Sequence, residues 1–323
     1  MEAKDKKKLH ALWADHCEGD VYPATAKAFE LTLKKAQQLH ERRPGDFEEA
    51  YAHNAVLNLM GRDEARRFFD DTGATHGFPI TLDHILDIGI YRGIHDNDVA
   101  LLKDALHTWN RLRFGYRLKH GWYQGMCFRE LIHAMADGDV ELMKTYMPRS
   151  LGLAPKGCWP FFRAGSNLVA IMLHDGPRPS AVEQVLAYAQ TYSEAKKNSK
   201  GSILVIRYLL ALQSGATDEA SGYLQSVADE YRRMSWIVEF QPFLKYFGAF
   251  VHGLYHLAQH VLPADRFAQM TAPRHSVFSD AFDRLSKARA YQTGGLIPGL
   301  SLSGELSGLQ RLFGPLSPAT PAA

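Results

Sequence analysis

The stretch LIHAMADG (residues 131–138), followed by Asp139 and then VELMKTYM (140–147), decides the fold class. An apolar run of helical period ends in a turn of small residues, and a second amphipathic helix pattern begins directly after it. Asp at such a junction is a preferred N-cap, because its carboxylate accepts a hydrogen bond from an unpaired N–H of the first turn. The stretch therefore predicts a helical hairpin whose second helix begins at Asp139.

The same pattern occurs four more times along the chain. Its capping residues are spaced 35, 41, 41 and 38 residues apart, and they are Asp63, Asp98, Asp139, Ser180 and Asp218. A single hairpin cannot bury its own apolar face, so neighbouring hairpins must cover one another. No run alternates with the period of two that a strand requires. We therefore predict an all-α fold of helical-hairpin repeats, stacked as an α-solenoid or packed as an irregular helical bundle.

The two ends of the chain differ from the repeats. Residues 1–60 fall outside the repeat phase and are expected to form an N-terminal helical cap, continuous with a repeat body over 61–291. Residues 292–323 contain six Gly, four Pro and four Ser, and only two of their side chains are charged. This composition predicts a flexible tail.

Composition excludes several function classes. The 323 residues include 37 Lys and Arg against 35 Asp and Glu, a net charge of +2 that argues against a general nucleic-acid binder. The three cysteines, Cys17, Cys127 and Cys158, are far apart and form no CxxC motif, so we expect neither a disulfide framework nor a thiolate zinc site. The N-terminus has no apolar signal region, and we predict a cytoplasmic protein.

Sequence motifs of catalysis are scarce. The chain has no phosphate-binding GxxxxGK[ST] loop, no dinucleotide-binding glycine pattern and no GxSxG nucleophile elbow. His252, His256 and His260 share one helix face, a geometry that zinc accepts from two of them, but their neighbours are apolar and no HExxH motif is present. We therefore predict no metal and no cofactor.

Two candidate acid–base pairs, His84 with Asp87 and His95 with Asp96, lie beside turns or on a helix face. Without a motif that would place a substrate, they are interpreted as capping and surface residues. The expectation is a protein that is not an enzyme.

One segment stands out as a candidate binding site. Residues 107–124, HTWNRLRFGYRLKHGWYQ, interleave aromatic and basic side chains and contain no acid. Trp, Tyr and Arg are enriched at protein interfaces, where they combine a large apolar area with hydrogen bonds at the tip. The predicted partner-binding residues are Trp109, Arg111, Arg113, Trp122 and Tyr123. Two alternatives remain: the aromatics pack between helices while the arginines face water, or the segment stacks on nucleic-acid bases.

A second aromatic group consists of Trp159, Phe161 and Phe162, separated by Pro160. Proline breaks a continuing helix, so the group is expected in a loop or at a helix start. Its side chains either staple neighbouring helices together or form a ligand site.

Three runs in the middle of the chain, HAMADGDVELMKTYMP, NLVAIMLHDG and YSEAKKNSKGSILVIRYLLALQSGATDEASGYL, resemble the immunity protein 49 family over residues 80–240. The members of that family are helical immunity proteins of bacterial polymorphic toxin systems. The resemblance implies a cytoplasmic, non-enzymatic protein that binds and neutralises one cognate toxin. The resemblance rests on the order of helix patterns and small-residue turns in these runs, and it identifies no binding residues.

The leading hypothesis is therefore an immunity protein that occludes a toxin by stoichiometric binding. One alternative is a helical-repeat scaffold or regulator that binds a cellular protein or peptide, and a second is an all-helical hydrolase or nuclease. No membrane partner is indicated, a nucleic-acid partner is disfavoured, and the sequence does not indicate an oligomeric state.

Overall fold

The computed structural model describes residues 3–17, 78–116, 128–140, 143, 158–174, 179–238 and 241–288. These residues are mostly helical and contain no strand, which confirms the all-α prediction. In chain order the helices are α1 (Ala3–Cys17), α2 (Phe78–His95), α3 (Val99–Tyr116), α4 (Phe128–Ala136), α5 (Pro160–Leu173), α6 (Pro179–Glu194), α7 (Lys200–Gln213), α8 (Thr217–Glu230), α9 (Ser235–Val238), α10 (Ala249–Val261), α11 (Ala264–Phe267) and α12 (Asp280–Lys287). Two 3₁₀ turns, Tyr231–Arg233 and Pro242–Lys245, flank α9.

The chain divides into two compact units. The first combines residues 1–119 with 281–323, and the second is residues 120–280. In the first unit, α2 packs against both α1 and α3. In the second, α5, α6, α7 and α8 pack as consecutive neighbours, and α10 packs against α4. The predicted boundaries at 60/61 and 291/292 stay predictions, because the residues around both lie outside those that the structure describes.

Two of the predicted capping residues stand at helix starts. Asp98 precedes α3, and its Oδ1 accepts the N–H of Leu101 at 3.1 Å, as an N-cap carboxylate does. The Asp139 carbonyl accepts the N–H of Met143 at 3.2 Å, which is the first bond of the helical segment that begins at Val140.

Two other predicted capping residues are wrong in position. α6 begins at Pro179, so Ser180 lies inside its first turn. Proline suits the first helical position because an N–H there has no intrahelical partner. α8 begins at Thr217 with Ala216 as its N-cap, and Asp218 is a first-turn carboxylate facing the positive end of the helix dipole. Asp63 lies outside the described residues.

The turns before Asp139 and Thr217 share one backbone conformation. Gly138 and Gly215 adopt positive φ angles of 84° and 73°. The N–H after each glycine donates to the carbonyl five positions earlier, at 3.1 Å and 2.9 Å respectively. This is the glycine-terminated helix end that a side chain other than Gly or Asn rarely allows. The hairpin is therefore shown as a local motif, whereas regular stacking into a solenoid stays a prediction.

The interior of the second unit is built around the contact between α4 and α10. Gly253 of α10 lies so close to α4 that a Cβ at this position would stand 1.8 Å from the carbonyl oxygen of Ile132. Nearby, the buried Tyr208 hydroxyl donates to the carbonyl of Leu254 at 2.6 Å. Close backbone approach and satisfied buried polar groups are the conditions of a well-packed core.

The helices that the structure describes include none with the length and apolar composition required to cross a membrane.

Candidate functional site

The segment predicted to bind a partner lies partly in α3. Trp109 is fully buried, on the helix face that also carries the buried Ala105 and Leu106. Trp109 therefore contributes to the interior of its unit. Packing between helices was one of the two alternatives to partner binding for the aromatic side chains of this segment. Arg111 and Arg113 follow it in α3, but their side chains are outside the described part. Trp122 and Tyr123 lie outside the described residues, so these four stay predictions.

A different tryptophan is exposed. Trp159 is 61% accessible to solvent, and among the described residues no other large hydrophobic side chain is strongly exposed. It occupies the N-cap position of α5, and Pro160 is the first helical residue. Its carbonyl accepts the N–H of Arg163 at 2.9 Å, so the backbone under the indole is fixed by the helix. Because Trp159 precedes the helix, α5 has no earlier turn that would cover it.

The indole of Trp159 packs on a cluster of aromatic side chains. Its ring stacks on Phe162 with centroids 5.4 Å apart and an interplanar angle of 26°. Phe162 and Phe161 are buried and lie against the ring of Trp236, at centroid distances of 6.3 Å and 4.6 Å. Phe161 also contacts Tyr192 of α6 at 6.1 Å. The two phenylalanines therefore have the interior packing role that the sequence offered as one alternative, and Trp159 does not share it.

Two arginines lie beside this cluster of aromatic side chains. The guanidinium of Arg163 lies over the ring of Tyr188, 4.5 Å from its centroid, in a cation–π arrangement. Arg129 of α4 donates to the carbonyl of Trp236 at 2.8 Å and to the carboxylate of Glu130 at 2.8 Å. We call Trp159, Arg163, Tyr188, Arg129 and Trp236 the Trp159 surface.

Two nitrogen donors in the Trp159 surface lack acceptors. The Arg163 Nε and the Trp236 indole Nε1 are covered from solvent and donate to no group in the described part of the chain. An unsatisfied buried donor costs about 1–3 kcal/mol of folding free energy. Native proteins rarely leave buried donors of this kind without a hydrogen-bond partner.

A group of cations continues from the Trp159 surface along the start of α7. The Tyr192 hydroxyl, whose ring touches Phe161, donates to the Ser202 hydroxyl at 2.9 Å. The exposed cations of this edge are Lys196, Lys197, Lys200 and Arg233. Lys200 and Arg233 share one carboxylate, Glu230, and the hydrogen bond from Lys200 is the main cause that holds the pKa of Glu230 below its ordinary value.

The three histidines of α10 do not act as a set. His252 is fully buried between the rings of Phe247 and Phe278, and its Nε2 accepts the N–H of Ser279 at 3.0 Å. His256 is also buried, and its Nδ1–H donates to the carbonyl of Ala136 at 2.8 Å. His260 is exposed. Two of the three are thus tied to backbone groups of distant segments; that the protein binds no metal stays a prediction.

One of the two acid–base pairs considered from sequence is formed. His95 Nδ1 lies 2.7 Å from Asp96 Oδ1, and the His95 ring stacks on Tyr91 at 4.9 Å. Tyr91 is hydrogen-bonded to His10 of α1 at 2.8 Å, so the histidines join α1 to α2. Partial burial, with a smaller effect from the Asp96 charge, raises the pKa of the Tyr91 phenol. The side chain of His84 is not among those described.

A groove of mixed polar and apolar lining runs across α6, α7 and α8 in the second unit. Its volume is about 720 Å³, it is open to solvent, and its walls include Gln190, Arg207, Glu219 and Tyr223. The guanidinium of Arg207 donates to the Ser193 carbonyl at 3.3 Å. The groove is a concave surface that a ligand could reach.

The sequence pattern did not separate Trp159 from its neighbours, because Pro160 and the two phenylalanines are typical of residues that pack between helices. A tryptophan directly before a helix-starting proline was the available signal, since such a residue lies outside the helix.

The chain was compared with protein-family models, with curated proteins and with solved structures, and none of the three comparisons finds a match.

Proposed function

We propose that this chain is a binding protein that neutralises a cognate bacterial toxin by occupying a surface the toxin needs for its activity. The observation that carries the proposal is Trp159, an indole 61% exposed yet held in place by stacking on Phe162. The resemblance of residues 80–240 to the immunity protein 49 family gives the class of partner.

The fixed position of Trp159 suits it to binding. A flexible side chain loses conformational entropy when a partner immobilises it, at about 0.5–1.5 kcal/mol per side chain. Trp159 has already lost much of that freedom to the stack with Phe162. Interface residues with the largest effects on affinity are enriched in Trp, Tyr and Arg, and the Trp159 surface contains all three types.

The mechanism is occlusion, with one inhibitor bound per toxin molecule. A stable complex of this kind buries about 800 Å² on each partner. A helical scaffold supplies that area without any reaction on this chain, so the protein would act at equimolar amounts and not as a catalyst.

The direct test is co-expression with the protein encoded by the gene immediately upstream. We expect the upstream product to arrest growth when expressed alone, and equimolar co-expression of this chain to restore growth and yield a co-purifying complex. Arrest without rescue or co-purification would contradict the proposal. Turnover of a substrate by this chain without a partner would favour the hydrolase or nuclease alternative.

The groove across α6, α7 and α8 favours a second candidate, a scaffold that binds an extended peptide of a cellular protein. Arg207→Ala and Tyr223→Ala change the groove without touching Trp159. Loss of partner binding in these two variants, with binding retained in Trp159→Ala, would favour the scaffold function.

A further inference from the structure

We infer that the partner of the Trp159 surface is an acidic protein surface, in which a pocket for the indole is bordered by Asp or Glu carboxylates. The inference rests on the proposed function only in taking the partner to be a protein. It goes further by assigning the charge of the molecule that fits the Trp159 surface.

The charge balance around Trp159 is the first argument. The cations of the Trp159 surface and of the adjoining edge are Arg129, Arg163, Lys196, Lys197, Lys200 and Arg233. Glu130 pairs with Arg129, and Glu230 pairs with both Lys200 and Arg233. Two exposed carboxylates are neighbours in sequence, Glu194 beside the loop lysines and Asp229 beside Glu230, so six cations stand against four acids. Arg163 and the two loop lysines have no carboxylate partner in the part of the chain that the structure describes. The surplus of positive charge favours a partner of opposite sign.

Arg163 supplies the second argument. Its guanidinium lies over the ring of Tyr188, which covers one face and leaves the in-plane N–H groups as the groups that can bond. The Nε is covered, so the terminal nitrogens are the donors of Arg163 that an incoming group can reach. A planar guanidinium binds a carboxylate through two parallel hydrogen bonds, which its two terminal nitrogens can donate together. These terminal nitrogens are not among the covered atoms, so an incoming Asp or Glu can bind the guanidinium end-on.

A nucleic acid fits the same surface less well. Proteins that bind single strands present successive aromatic rings on which bases stack, whereas Trp159 is the one large aromatic strongly exposed among the described residues. The net charge of +2 also gives little general attraction to nucleic acid.

The test begins with a phage library of random twelve-residue peptides selected on the full-length protein, and the recovered peptides are then synthesised. We expect them to combine an apolar residue with Asp or Glu and to bind in a salt-dependent way. Trp159→Ala should weaken their affinity roughly thirty-fold and Arg163→Ala roughly ten-fold. Arg163→Glu should weaken it further, since it places a carboxylate against carboxylates.

The matched control is Arg266→Ala, which removes an exposed arginine from α11 of the same unit. We expect this variant to bind the peptides as the unaltered protein does. Helical circular dichroism and the melting temperature should be nearly the same in all four variants, because the altered side chains are exposed or half-buried.

Three results would overturn the inference: recovered peptides without carboxylates, affinity unchanged in Trp159→Ala, or no recovered ligand at all. A thymidine 20-mer is measured in parallel, and binding of this oligonucleotide that is lost in Trp159→Ala would identify a nucleic-acid surface instead. Toxin rescue is scored separately. Rescue that persists undiminished in Trp159→Ala contradicts the inference alone, whereas acidic-peptide binding without rescue contradicts only the proposed function.

Discussion

Trp109 and Trp159 are the same side chain in opposite situations. Trp109 lies well inside the 18-residue helix α3, has buried residues three and four positions before it, and has no surface exposed to solvent. Trp159 precedes the first residue of α5, touches Phe162 with one face and exposes 61% of its surface. The comparison separates two tasks, since the buried Trp109 stabilises the fold and the exposed Trp159 remains available to a partner.

The largest effect should come from Trp109→Ala. Removing a fully buried indole leaves a cavity, and we expect a loss of about 3–5 kcal/mol in the free energy of unfolding. Denaturant unfolding of the full chain, followed by circular dichroism, measures it. A loss below about 1 kcal/mol would show that Trp109 is not an interior residue and would remove the contrast with Trp159.

A second interior change tests packing without an aromatic side chain. Gly253→Ala places a methyl group against the Ile132 carbonyl, where no flexible side chain can move aside, and we expect destabilisation by about 3 kcal/mol. Gly222→Ala in α8 is the matched control because a Cβ there meets nothing within 4 Å. That control should gain about 0.5–1 kcal/mol from the better helix propensity of alanine. Equal effects of the two changes would refute the close contact of α4 with α10.

The interior should also respond to alkaline pH. Burial raises the pKa of Tyr208 and of Tyr231 above the ordinary value of 10.0, so the folded protein holds a proton that the unfolded chain loses. The free energy of unfolding should therefore keep its full value below pH 10 and decrease above it, by about 1.4 kcal/mol per pH unit for each tyrosine.

The tyrosine contribution can be isolated by substitution. Tyr208→Phe should reduce the alkaline slope by about 1.4 kcal/mol per pH unit, and it should cost about 1 kcal/mol at neutral pH because the Leu254 carbonyl loses its donor. Urea unfolding at pH 8, 10 and 11 provides the slopes. An unchanged slope in this variant would mean that the phenol is accessible to solvent.

The smallest effect on folding should come from Trp159→Ala. Exposed positions usually change stability by no more than about 0.5 kcal/mol. Thermal unfolding should therefore give almost the same melting temperature as the unaltered chain. A loss above about 2 kcal/mol would assign Trp159 to the interior and would make it a counterpart of Trp109.

The sequence predicts the features that neighbouring residues determine. Gly138 and Gly215 mark turns because only a few residue types adopt positive φ, and Asp98 caps α3 because its carboxylate reaches the N–H of Leu101. Ser180 was misplaced by local competition, since Pro179 satisfies the first helical position better. The turns, the Asp98 cap and the start of α6 are each determined by a few adjacent residues, so local sequence is sufficient to explain all of them.

The sequence does not predict features that depend on distant segments. The partners of His252 and His256 are Ser279 and Ala136, which lie 27 and 120 positions away. The buried state of Trp109 and the exposed state of Trp159 depend in the same way on which helices cover them. Composition indicated which aromatic and basic residue types an interface would use, but it could not distinguish the faces of a helix.

The exposed indole of Trp159 has an optical consequence. A tryptophan in contact with water emits at longer wavelength than a buried one, and acrylamide in solution reaches it and quenches its emission. Trp109 is shielded from such a quencher. Because the chain has five tryptophans, the difference between the emission of the unaltered protein and that of Trp159→Phe isolates the Trp159 component. Burial of Trp159 by a binding partner would shift the emission to shorter wavelength and protect it from acrylamide, and the chain thereby carries its own spectroscopic reporter of complex formation.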